Sequence, residues 1–250
     1  MKHPRAVLFL FVTLLLTFAI NLAGADSNPP VIPPTSHAYG KSYEEWSAAW
    51  LQWAMSIPAA SNPILDNTGA YSSVGQSGKV WFLAGTTGSG AVPPVVRTIT
   101  IPSGTPLFFP IVNYFWVNTP EYGDPNWSPA QEANARSILA DIVDTATGFS
   151  LKIDGHSIKN LYDFRFQSTV AKCTIPPLAA DNLFGADLVN NPYYCVADGY
   201  WVMVHPLPVG SHEIHFTGGF TAFPPFSLDV TYKITVKPGR KEVEVPLHPR

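Results

Sequence analysis

Between Tyr39 and Ile57 the apolar positions Tyr43, Trp46, Trp50, Trp53 and Ile57 recur at spacings of three and four. That period draws one stripe down a helix face. Ser42 three residues ahead of Glu45 forms a capping box, and Pro58 stops the run, so the spacing predicts a helix over about 42–57. A second stripe, Ile138, Leu139, Ile142 and Val143, follows Ser128-Pro129, a capping residue with proline at the first helical position. It predicts a helix over about 128–147, ended by Gly148.

The remaining apolar positions follow strand patterns. Val80 to Ala84 is apolar on both alternating faces, which a strand tolerates when it is covered on both sides. This run is therefore expected at the centre of a sheet with the tryptophan helix as one cover. Val95 to Ile101 is a strand ended by Pro102, and PLFFPIVNYFWV is a further one that its interior Pro110 must bend or place at an edge. Phe149, Leu151 and Ile153 alternate with polar residues and run into Asp154-Gly155, a two-residue hairpin signal. In LYDFRFQSTV, Phe164, Phe166 and Val170 fall on one face and Arg165, Gln167 and Thr169 on the other. Tyr200 to Val204, His212 to Thr217, and the alternation from Leu228 to Val236 complete the set. Many strands with two amphipathic helices predict a mainly β chain, a β-sandwich with an immunoglobulin-like C-terminal meander decorated by helices.

Ahead of these elements stands a different texture. Lys2 and Arg5, an apolar run from Ala6 to Ile20 and the Ala23-Gly24-Ala25 site make residues 1–25 a secretory signal peptide. Residues 26–40 are proline-rich and read as an extended tether, leaving 41–250 as a single domain. The expected localisation is secreted or periplasmic, with no membrane contact after cleavage. Loss of Lys2 and Arg5 takes the formal charge from −3 to −5. The remaining basic residues form no cluster, so nucleic acid is excluded as a partner. Cys173 and Cys195 are the only cysteines. In an oxidising compartment they are most simply a disulfide, worth about 3 kcal/mol for a loop of this length. Asn126-Trp127-Ser128 is a glycosylation sequon, of use only in a host that modifies it.

The stretches YGKSYEEWSAAWLQW, GQSGKVWFLAG, IDG followed by LYDFRFQS, and DGYWVMVHPLPVGSHEIHF together resemble a family of exported bacterial proteins of uncharacterised function. The resemblance covers most of the mature chain. It implies a bacterial origin and export, and it carries no activity or site residue.

Candidate chemistry is thin. Gly75-Gln76-Ser77-Gly78 lacks the second glycine of a nucleophile elbow and precedes its strand. A glycosidase needs two facing carboxylates, but Asp66, Glu121, Asp124, Asp154, Asp163 and Asp198 sit in turn-like settings. The densest set of potential metal ligands is His205, His212, Glu213 and His215. On a strand, Glu213 and His215 share one face while His212 lies on the other, so all of them cannot converge. Trp46, Trp50 and Trp53 either lie on an apolar surface, which is the expectation, or form a platform for a flat ligand such as a sugar ring. No cofactor is expected. The sequence thus points to a non-catalytic binding or surface-associated module, with a carbohydrate or a cell-surface component as ligand. The alternative is a secreted enzyme acting on a polymer such as polysaccharide, metal-assisted through the late histidines.

Overall fold

The computed structural model describes residues 30–87, 94–119, 127–188, 192–222 and 225–239. Residues 1–25, expected as a signal peptide, the sequon asparagine Asn126, and Glu121 and Asp124 lie outside the described residues.

The described residues are mainly β and form two five-stranded sheets with two α-helices. In the first sheet, β1 (Trp81–Phe82), β3 (Leu107–Val117), β8 (Tyr193–Val204) and β6 (Arg165–Gln167) lie in that order, and β7 (Ala171–Cys173) also pairs with β8. The second sheet runs β2 (Val95–Pro102), β10 (Phe226–Lys237), β9 (Gly210–Phe220), β4 (Ala146–Ile153), β5 (His156–Ser157). The sandwich is as the strand patterns predict. Its C-terminal part departs from a simple meander: β8 belongs to the first sheet, the chain changes sheets before β9, and only β9 and β10 pair consecutively. β10 then takes β2 as a parallel neighbour.

Alternation along β8 shows why the first sheet is apolar on both faces. Trp201 stacks on Phe108 at 5.7 Å and meets Trp50 edge-on at 5.5 Å, so this face lies under α1 (Tyr43–Ser56). Tyr200, on the opposite face, packs on Phe149 of β4 at 4.3 Å, and Phe109 of β3 packs on Phe216 of β9 at 5.1 Å. β8 is therefore the strand buried on both sides. The role expected of Val80–Ala84 falls to it, because β1 is only two residues long and stands at the sheet edge.

α1 begins at the capping box as read, with the Glu45 amide donating to Ser42 Oγ and the Ser42 amide to Glu45 Oε2. Its indoles are buried: Trp46, Trp50 and Trp53 are 9%, 2% and 6% exposed. Each indole N–H donates to a main-chain carbonyl, those of Ala38, Leu83 and Val74 respectively. These rings are core and offer no open sugar platform. α2 (Pro129–Val143) covers the stretch of β8 near Val196 through Ala135 and Leu139. It ends short of the expected Gly148, because the Thr145 hydroxyl donates to the Ile142 carbonyl and β4 starts at Ala146.

One further expectation changes. From Pro30 onward the tether is not a free spacer: Ile32 N donates to Met203 O and His205 N to Pro30 O, both at 2.8 Å, and Val31 and Ile32 are buried. The loop after β7 is closed as expected by the Cys173–Cys195 disulfide, with both cysteines fully buried. The Asp154-Gly155 turn is as expected, with φ of 49° and 77°, the positive pair of a type I′ hairpin.

Trp50 joins α1, β1 and β8 through its ring and its N–H. Trp50→Ala is expected to lower the unfolding free energy in urea by about 3–5 kcal/mol; a loss under about 1 kcal/mol would show that the helix is held elsewhere.

Candidate functional site

The late histidines do not assemble. His212 Nδ1 donates to Asp154 Oδ2 at 2.7 Å and Nε2 to the Pro208 carbonyl at 2.9 Å, so both ring nitrogens serve acceptors as in an imidazolium. His215 Nε2 pairs with Asp229 Oδ1 at 2.9 Å on the outer face of the second sheet. His205 and Glu213 are exposed. Among the described residues no three His, Cys, Asp or Glu side chains come together as a metal site.

The carboxylates are likewise engaged one by one. Asp66 accepts from the Thr68 hydroxyl and the Thr68 and Tyr71 amides. Burial would raise its pKa, but these bonds hold it below the usual range. Asp198, fully buried in mid-strand and not in a turn, faces Arg165 Nε and Nη2 at 3.1 and 3.0 Å and accepts from Gln167 Nε2 at 3.1 Å. Arg165 also reaches Asp144 and the Ala140 carbonyl of α2. This network fastens α2 to β6 and β8.

The site proper comes from what happens after β1. Leu83 N donates to Phe108 O at 3.1 Å, which directs the Phe108 carbonyl towards β1. Pro110 has the same parity, so the position of its missing N–H falls on the side where β1 has already ended. A bulge between Pro110 and Val112 then shifts the register of β3 against β8 by one residue and exchanges the parity of the strand. Beyond it Asn118 N bonds Tyr194 O of β8, so Asn113, Phe115 and Val117 turn their main-chain groups away from β8. Among the described residues no strand pairs with this edge beyond Phe108.

The chain is drawn off the edge by Arg97, which is 1% exposed on β2. Its Nε donates to Asp66 O at 2.6 Å, Nη1 to Ala84 O at 2.6 Å and to Tyr232 Oη at 2.7 Å, and Nη2 to Gly85 O at 2.8 Å and Ile64 O at 3.5 Å. Tyr232 Oη in turn donates to Ala84 O and accepts from Ala84 N. Ala84 and Gly85 are thereby tied to the second sheet and cannot follow β3.

The vacated edge borders a cavity of about 540 Å³ that wraps round it. On the α1 side its walls include Trp50, Met55, Ile64 and Phe184; on the other side they include Ile138 and Ile142 of α2 and Phe226 and Leu228 of β10. Leu65 and Tyr114 at the rim are 44% and 41% exposed. Two buried carboxamides set the α1-side wall. Asn62 donates to Ala54 O and Ile57 O and accepts from Ile64 N, while Asn182 donates to Pro176 O and Ala186 O and accepts from Phe184 N. Among the described residues, the polar side chains of the lining are Thr86, Thr87, Asn113 and the Tyr114 phenol, and none is a carboxylate, imidazole, amine or guanidinium. Among the described sequence candidates only Trp50 reaches this cavity, and its N–H is already used. Pro110 was the one available signal, since it marks where the neighbouring strand must stop.

No protein family, no curated protein and no solved structure matches the chain.

Two predictions follow from these bonds. Arg97→Leu leaves buried carbonyls without donors and should cost about 2–4 kcal/mol in urea unfolding. Wild-type stability in this variant would mean that the chain after β1 is held by other contacts. For His212, burial works against the charge, but the Asp154 bond and the Pro208 carbonyl outweigh it and raise the pKa. For Asp154, burial is outweighed by His212 and the Glu213 amide, and the pKa falls. The His212 contribution is therefore complete below about pH 6.5 and is lost as pH rises through the raised value. That of Asp154 is complete above about pH 4 and is lost as pH falls through the lowered one. The stability difference between wild type and His212→Gln should peak between those limits, at under about 1 kcal/mol for this partly exposed pair, and shrink in alkaline urea melts. A difference constant from pH 5 to 9 would contradict it.

Proposed function

We propose that this chain is an exported, non-catalytic binding module that takes a largely apolar, uncharged ligand into the cavity beside β3. The observation that carries this reading is the lining: aromatic and aliphatic walls on two sides, a few hydroxyl and amide groups and, among the described residues, no group able to act as acid, base or metal ligand apart from a phenol. A cavity of this size burying apolar surface favours a hydrophobic guest. It speaks against the carbohydrate ligand that the sequence suggests, because a sugar would leave its hydroxyls with few polar partners. Export rests on the signal-like residues 1–25, and a secreted or periplasmic location goes with it. The polymer-degrading enzyme has less support, since Asp66, Asp154, Asp198, His212 and His215 are each bonded elsewhere and none of the described carboxylates and histidines lines the cavity.

The test is titration of the mature protein with N-phenyl-1-naphthylamine, a neutral probe that brightens in apolar surroundings. Saturable binding is expected, with a Kd on the order of micromolar. Ile138→Trp, which puts a larger ring into the cavity from the half-buried face of α2, should weaken it at least about tenfold, roughly 1.4 kcal/mol. Absence of binding, or equal binding by the variant, would overturn the assignment.

A further inference from the structure

The cavity is not a plain apolar hole, because a strand edge runs through its middle. Asn113, Phe115 and Val117 direct main-chain N–H and C=O groups into it, and of these only the Val117 carbonyl has a described partner, Thr119 N at 2.8 Å. A wholly hydrophobic guest such as an acyl chain would cover those groups without bonding them, at a cost of about 1–3 kcal/mol for each group left unpaired. The proper guest supplies donors and acceptors at strand spacing and apolar side chains on alternate sides. The walls meet that demand: one lobe lies on the α1 face of the first sheet, under Trp50, Met55 and Phe184, and the other on the opposite face, against Ile138, Phe226 and Leu228. Residues alternating along an added strand would enter the two lobes in turn.

We infer that the ligand is an extended, uncharged apolar peptide segment of another polypeptide, which adds to the edge of β3 from Asn113 to Val117, where no described strand pairs, and extends the first sheet. The free edge spans about 17 Å at strand rise, so five or six residues fill it. The segment is uncharged because no described residue of either lobe offers a counter-ion. This inference rests on the reading that the cavity takes an apolar guest, and adds to it the requirement for a backbone.

Two synthetic ligands test it on the mature protein: an end-capped hexapeptide alternating valine and phenylalanine, carried on a short polyethylene glycol tail, and its fully N-methylated analogue, which keeps the side chains and loses the donors. The parent peptide is expected to displace bound N-phenyl-1-naphthylamine and to slow hydrogen exchange at the amides of Asn113, Phe115 and Val117 by about tenfold or more. The analogue should bind at least about tenfold more weakly, as two lost hydrogen bonds imply. Equal displacement by both peptides without amide protection would leave an apolar cavity and overturn strand addition. So would a probe that binds and is displaced by neither. Protection of the three amides in the free protein would mean that the chain fills its own edge, which overturns a partner in trans. Failure of the probe itself to bind would remove the cavity reading and this inference together.

Discussion

A guanidinium buried to 1% exposure needs an acceptor for every N–H, and the path of this chain around its cavity follows from meeting that need at Arg97. The acceptors come from segments far apart in sequence: Ile64 and Asp66 after α1, Ala84 and Gly85 after β1, and the Tyr232 phenol of β10. A strand such as β1 would ordinarily continue along its neighbour, since each further residue adds a ladder bond. Here the guanidinium offers the Ala84 and Gly85 carbonyls a stronger, charge-assisted bond on the second sheet, and the ladder stops after the Leu83 amide. What looks like an incomplete sheet is the other side of a fully satisfied cation.

The same logic, a polar side chain serving main-chain groups inside an apolar setting, recurs round the cavity. Asn62 and Asn182 each present two donors and one acceptor to their own loops. Gln76 bonds both the N–H and the carbonyl of Phe82, standing in for the strand that β1 lacks on its outer side. Side-chain hydrogen bonds thus hold the irregular segments of the wall where ladder bonds are missing.

Much of this architecture could be read from the residues, and the boundary between what could and could not is physical. The capping boxes at Ser42 and Ser128, the Asp154-Gly155 turn and the alternation along β10 are local signals, and the elements stand where those signals put them. Errors arose where a residue's environment is set by distant chain. Val80–Ala84 reads as a central strand because it is apolar throughout, yet its cover comes from α1 and from Arg97 and not from strands on both sides. The proline-rich segment reads as solvated, yet Val31 and Ile32 find a vacancy at the end of β8. The candidate site lay wholly beyond local signals: it is made by the end of β1, and that end is decided by an arginine on a different sheet.

The parallel pairing of β2 with β10 ties together segments separated by more than half the chain, from Val95 opposite Val230 to Pro102 opposite Lys237. Until β10 is present, β2 has no strand beside it and Arg97 lacks the Tyr232 hydroxyl, so the charge on β2 cannot be comfortably buried. Loop-closure entropy of this size slows folding, and here it also sets an order of events. The last strand among the described residues licenses the burial of a cation laid down in the first half of the chain, and nothing shorter than nearly the whole polypeptide can close the second sheet.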